Sequence, residues 1–231
     1  MIMIILFALL SFLGLVTFFL TRNSMRPLKR WHLTHVQYLT YQQLIDLILV
    51  LVEFIVISIL VFFGPNSSYA KFLSVIKEIH WDWHFALFVV LYLLALVEIT
   101  MLILIGFVEL ILKKNSRQLF KQMNWLAFRK EKAAGSFLIL SLAVLEDAVL
   151  YLAILPTISK LSLTTLILLV MTYALIKACR YKDWLTNLLA LGLFSFIGMW
   201  CLTATFLYGW LAGAFLLAVT YLVISFKEQD L

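Results

Sequence analysis

The sequence predicts an all-α, polytopic transmembrane bundle of about seven spans, and three observations carry that expectation. Hydrophobic residues make up 65% of the 231. They gather into stretches of about 20, the length a helix rising about 1.5 Å per residue needs to cross a hydrocarbon core of about 30 Å. Between the stretches, basic residues are alternately abundant and sparse. Lipid offers backbone groups no partner, so spans this apolar are expected as helices. A barrel would instead show shorter alternating strands.

The first stretch, 2–21, has no basic residues before it and no small-residue cleavage pattern. It is therefore expected to stay as an anchor rather than to be removed as a signal peptide. The second is 43–64. The third, 83–112, is long enough to require tilt or an extension into the cytosol. Stretches 134–155, 161–178, 184–202 and 206–226 complete the set.

Lys and Arg set the orientation. Arg22, Arg26, Lys29 and Arg30 follow the first stretch. Lys113, Lys114, Arg117, Lys121, Arg129, Lys130 and Lys132 follow the third. Arg180 and Lys182 follow the fifth, with Lys177 just inside its end, while the intervening connections hold only Lys71, Lys77 and Lys160. The positive-inside rule then puts the N-terminus outside and the C-terminus inside. The net charge of +6 reports loops beside anionic membrane lipid, and nucleic acid is not an expected partner.

There is no internal repeat, glycine-rich phosphate loop or low-complexity linker, so residues 1–231 are expected to form one membrane domain. Cys179 and Cys201 fall near opposite faces and imply neither a disulfide framework nor a metal site. No cofactor is expected. Segment 119–129 mixes basic and aromatic residues, as an interfacial helix does. His80-Trp81-Asp82-Trp83-His84 has two histidines at i and i+4 that could ligate a metal, but an interfacial aromatic belt accounts for it better.

The acids are the informative residues. Glu53, Glu98, Glu146 and Asp147 fall well inside stretches, and Asp46 and Glu109 nearer the inner ends. An ionised carboxylate at the bilayer centre costs at least about 2.5–3.5 kcal/mol, so each should face the bundle interior, be protonated or pair with a donor. Glu53 and Glu98 stand alone and are expected to make structural hydrogen bonds inside the bundle. Glu146 and Asp147 are adjacent, so they point about 100° apart on a helix and are not expected to share a partner. One would face a cavity and the other brace a neighbouring helix.

The run Leu145-Glu146-Asp147-Ala148-Val149-Leu150-Tyr151-Leu152-Ala153-Ile154-Leu155-Pro156 resembles the first motif of the CPBP family. These are the CAAX prenyl endopeptidases and bacteriocin-processing or immunity proteins, also called Abi. Their motif is E-E-x-x-x-R in an apolar helix: Glu146 matches the first Glu, Asp147 replaces the second and Tyr151 stands at the Arg. Tyr173-Ala174-Leu175-Ile176-Lys177 lies where the family has F-x-x-x-H, and Gly192 to Gly198 where it often has a G-x-x-x-G-like stretch. Gly213 and Leu217 fall near the final H-x-x-x-N. The similarity covers about 134–222, making 134–231 the CPBP-like helical core and 1–133 the N-terminal spans and loops.

In the family the glutamate and histidines are thought to activate a water for peptide-bond attack, and the last His and Asn to stabilise the oxyanion. Such chemistry needs an acceptor beside the water and donors aimed at the developing charge. Here Glu146 and Asp147 remain as a vestigial catalytic pair. Lys177 could replace a His as a cation but not as a neutral proton relay, and Gly213 and Leu217 supply no donor. The four histidines, His32, His35, His80 and His84, all precede the similar region. Lys177 either pairs with Glu146 or Asp147, or snorkels to the inner interface beside Arg180; snorkelling is the favoured expectation.

The resemblance thus implies a non-catalytic protein of the bacterial cytoplasmic membrane that binds a membrane protein or peptide, in regulation or bacteriocin immunity. An active glutamate-dependent endopeptidase is one alternative. A small transporter or channel subunit, using its intramembrane acids as an ion path, is the other.

Overall fold

A computed structural model describes residues 2–22, 25–36, 38–63, 74, 83–116, 133–154, 163–181 and 183–227, and these are essentially all helical. In chain order the helices are α1 (Ile2–Arg22), α2 (Arg26–His35), α3 (Tyr41–Phe63), α4 (Trp83–Gly106), α5 (Ala133–Asp147), α6 (Leu163–Ala178), α7 (Trp184–Tyr208) and α8 (Trp210–Lys227). Two of them widen into π-helix at their C-terminal ends: α4 over Phe107–Ile111 and α5 over Ala148–Ile154. Segment 119–129, residues 80–82, Lys71, Lys77 and Lys160 lie outside the described residues, as do the side chains of Trp83 and His84.

Three helical stretches are long and apolar enough to cross a membrane: Tyr41–Leu60, Ala133–Ile154 and Trp184–Tyr208. The bent pair Ala8–Thr21 and Arg26–His35 makes a fourth if counted as one span. Helices α6 and α8 contribute shorter apolar stretches, Leu166–Ala178 and Trp210–Ser225. Helix α2 was not foreseen. Its signal is Pro27 in the first turn, where a missing N–H costs nothing, followed by exposed Lys29 and Arg30.

Helix α7 is the centre of the packing, lying along both α6 and α8, while α3 packs on α5 and α1 on α3. Val50 and Val56 of α3, Leu150 after α5, and Leu185, Leu189 and Phe194 of α7 form a continuous apolar core. About 1.5–3 kcal/mol per fully buried large aliphatic side chain is the scale of such burial against water; between helices in lipid the gain comes from packing instead.

The boundary between the last two helices differs from expectation. Helix α7 continues through Thr203 and Thr205 to Tyr208 instead of stopping at 202. The two threonines lower the local hydropathy without breaking the helix, because their hydroxyls donate to the carbonyls of Met199 and Cys201, each at 2.8 Å. The actual break is Gly209, whose φ of 95° lies in the left-handed region that favours glycine.

This one-residue hinge folds α8 back against α7, and Gly213 is the contact point. A Cβ at Gly213 would sit 2.7 Å from the Cys201 carbonyl oxygen and collide with the Thr205 hydroxyl. Gly213→Ala should therefore destabilise the protein by about 1–3 kcal/mol in a detergent unfolding titration. Gly192→Ala, whose added Cβ would meet only Leu104 Cδ2 at 3.6 Å, should leave the midpoint nearly unchanged.

Candidate functional site

Three helices deliver charged side chains to one buried point. Glu53 comes from the middle of α3, Glu146 and Asp147 from the end of α5, and Lys177 from the last turn of α6, with Arg180 just beyond it. The ammonium of Lys177 lies 2.7 Å from Asp147 Oδ1, 3.4 Å from Glu146 Oε1 and 3.6 Å from Glu53 Oε2. Arg180 Nη2 lies 3.4 Å from Glu53 Oε1. The side chains of Lys177, Glu53, Glu146 and Asp147 are all 0% exposed.

Local structure explains the convergence. Asp147 is the last residue before α5 widens into its π-helical segment, and such widenings re-aim side chains at the cost of regular backbone bonding. The carbonyl of Ala148 at that transition accepts a hydrogen bond from Trp210 Nε1 at 2.8 Å. Lys177 and Arg180 gather at the C-terminal end of α6, where the partial negative charge of the helix favours cations.

A tyrosine chain completes the shell. The Tyr221 hydroxyl of α8 donates to Asp147 Oδ2 at 2.5 Å and lies 2.6 Å from the Tyr173 hydroxyl of α6. The Tyr173 ring meets the Tyr151 ring edge-on, with centroids 4.8 Å apart. Buried Tyr151 has a hydroxyl with no hydrogen-bond partner, and Glu146 Oε2 likewise has none. Asp147, Tyr151, Tyr173, Cys201 and Leu217 border a small cavity with room for about one water molecule.

Several expectations are corrected here. Lys177 does not snorkel: it is fully buried and ion-paired. Glu146 and Asp147 do share a partner, because the long lysine stem places its ammonium between their two directions. Glu53 is not isolated but closes the opposite side of the same ammonium. Arg180 belongs to the cluster rather than to a solvated loop. Glu98 is exposed on α4, not inside the bundle. Asp46 is buried, and exposed Glu109 accepts from Ser116 Oγ at 2.6 Å.

Of the positions singled out by the expected CPBP resemblance, Glu146, Asp147, Tyr151, Tyr173, Lys177 and Leu217 come together around the cluster and its cavity. Gly213 serves instead as the contact of α8 with α7. Sequence reasoning missed Tyr221, although it lies four residues after Leu217 and so on the same helix face. Among the described residues no histidine reaches the site. His32 Nε2 pairs with the Leu39 carbonyl at 2.8 Å, and His35 stacks on Trp31.

Oxygens of Glu53, Glu146 and Asp147 lie within 4.8 Å of one another, a spacing a metal ion could bridge. Here the Lys177 ammonium stands within 3.6 Å of each residue and supplies the cation itself. Cys179 and Cys201 are not joined in a disulfide.

Residues 86–228 match the model of a family of unknown function, DUF5968, and the chain belongs to that family. No curated protein and no solved structure matches it.

Proposed function

We propose that this member of the DUF5968 family is a multi-pass protein of the bacterial cytoplasmic membrane that works by binding a membrane protein or peptide, in regulation or bacteriocin immunity. It spans the membrane about seven times, with its N-terminus outside, and its helical core is a CPBP-like protease scaffold whose chemistry is lost. One observation carries this: Lys177, which the CPBP resemblance would set at a histidine position, is held among Glu53, Glu146 and Asp147. A general base needs a lone pair free to take a proton from water. An ammonium bound by all three carboxylates opposes that, and Gly213 and Leu217 offer no side-chain donor to an oxyanion.

The outer surface supports binding as well. Glu98 is exposed on α4 beside exposed Leu91, Leu102 and Ile99. A carboxylate facing lipid is costly, and a partner helix with a donor or cation at that depth relieves the cost. Among the described residues the buried cations, Lys177 and Arg180, are engaged in the cluster.

Proteolysis by Glu146 and Asp147 is the second reading, favoured only by the water-sized cavity beside Asp147. Comparing N-terminal peptides from membranes of cells with wild-type protein, Glu146→Gln at matched abundance, or a deletion separates the two. The binding function predicts identical peptide sets and a phenotype that survives Glu146→Gln. A cleavage product present only with wild type contradicts it.

A further inference from the structure

Helix α2 presents a basic face away from the bundle. Arg26, Lys29 and Arg30 are all exposed, and their spacing of three and four residues puts them on one side of the helix. Among the described residues none of the three forms an ion pair. Arg26 and Arg30 stand one turn apart, and like charges at that spacing weaken a helix unless an anion offsets them. The other side of α2 is fixed. His32 is buried, its Nε2 pairs with the Leu39 carbonyl at 2.8 Å, and its ring meets that of Tyr41 edge-on.

The position of α2 selects the anion. Its axis turns 72° from that of Ala8–Thr21 in α1, and the apolar stretch Tyr41–Leu60 of α3 begins shortly after its C-terminal end. On the multi-pass reading, on which this inference rests, a helix so placed lies across the spans where they enter the membrane. Trp31, Leu33 and Tyr38 are exposed beside the cations. Aromatic and aliphatic groups in that company suit the boundary between headgroups and acyl chains, where Trp and Tyr collect. A soluble anion, nucleic acid included, would match the charges and leave these apolar groups in water.

We propose that the face of α2 formed by Arg26, Lys29 and Arg30 binds the headgroups of anionic phospholipids, with Trp31 and Leu33 seated beside them. The planar fork of each arginine matches two phosphate oxygens at once. Phosphatidylglycerol offers a phosphodiester with no cation of its own, whereas the quaternary ammonium of phosphatidylcholine offsets its phosphate. The site requires neither a CPBP-like scaffold nor a protein partner.

Brominated lipids, which quench tryptophan on contact, test this. The chain is reconstituted in phosphatidylcholine bilayers holding brominated phosphatidylglycerol or brominated phosphatidylcholine at equal mole fraction. The Trp31 signal is the difference between wild type and Trp31→Phe. Brominated phosphatidylglycerol should associate at Trp31 at least about tenfold more strongly, since each basic side chain near an anionic surface contributes about fivefold. The triple variant Arg26→Gln, Lys29→Gln, Arg30→Gln should remove that preference, and it should fold because all three side chains are exposed. Excess inorganic phosphate, against chloride at matched ionic strength, should leave the preference in place. Equal quenching by the two lipids, a preference that survives the triple variant, or one abolished by phosphate overturns the proposal. Absence of quenching at Trp31 while the other tryptophans are quenched also overturns it, yet leaves the multi-pass reading intact. If no tryptophan is quenched, both fall together.

Discussion

Replacing Lys177 with methionine should destabilise the protein by about 3–5 kcal/mol, the largest effect expected of any single change. Methionine keeps the length and apolar volume of the stem, so lost packing contributes little. What it removes is the ammonium that faces Asp147 at 2.7 Å, Glu146 at 3.4 Å and Glu53 at 3.6 Å. Arg180 is left to serve Glu53 alone, and the two acids of α5 lose their common cation. Denaturant or SDS titration in mixed micelles, followed by tryptophan fluorescence, measures the loss.

Asp147→Ala should follow closely, also at about 3–5 kcal/mol, and should exceed Glu146→Ala. Asp147 is the nearest anion to Lys177 and the acceptor of the Tyr221 hydroxyl at 2.5 Å. Its removal strands the ammonium beside Glu146 and Glu53 at longer range and takes away the carboxylate that accepts from the Tyr221 hydroxyl. Glu146 makes the longer contact and has one oxygen without a hydrogen bond, so less is lost with it. The same unfolding titration on both variants reads the order.

The helical architecture was legible because long apolar stretches leave backbone no other solution, and the expected stretches fall on helices α1 and α3 to α8. The errors have physical causes. Thr203 and Thr205 imitate a loop in hydropathy while their hydroxyls are spent within the helix, and Gly209, whose positive φ makes the break, sits inside an apolar run. At the site, Glu146 and Asp147 were visible as costly residues in an apolar run. Lys177 was visible only as a choice between pairing and snorkelling. Glu53 could not be placed, because pairing between α3 and α6 is a tertiary fact that carries no local pattern. Glu98 shows the converse: an acid within an apolar stretch need not face inward.

Lys177 and Asp147, 2.7 Å apart, form one interacting unit at the heart of the bundle. A double-mutant cycle of Lys177→Met and Asp147→Leu measures that interaction. The double variant should be far more stable than the summed single losses require, with a coupling energy of about 2–3 kcal/mol. Losses that simply add would contradict it, and with it the proposal that Lys177 closes the old catalytic position.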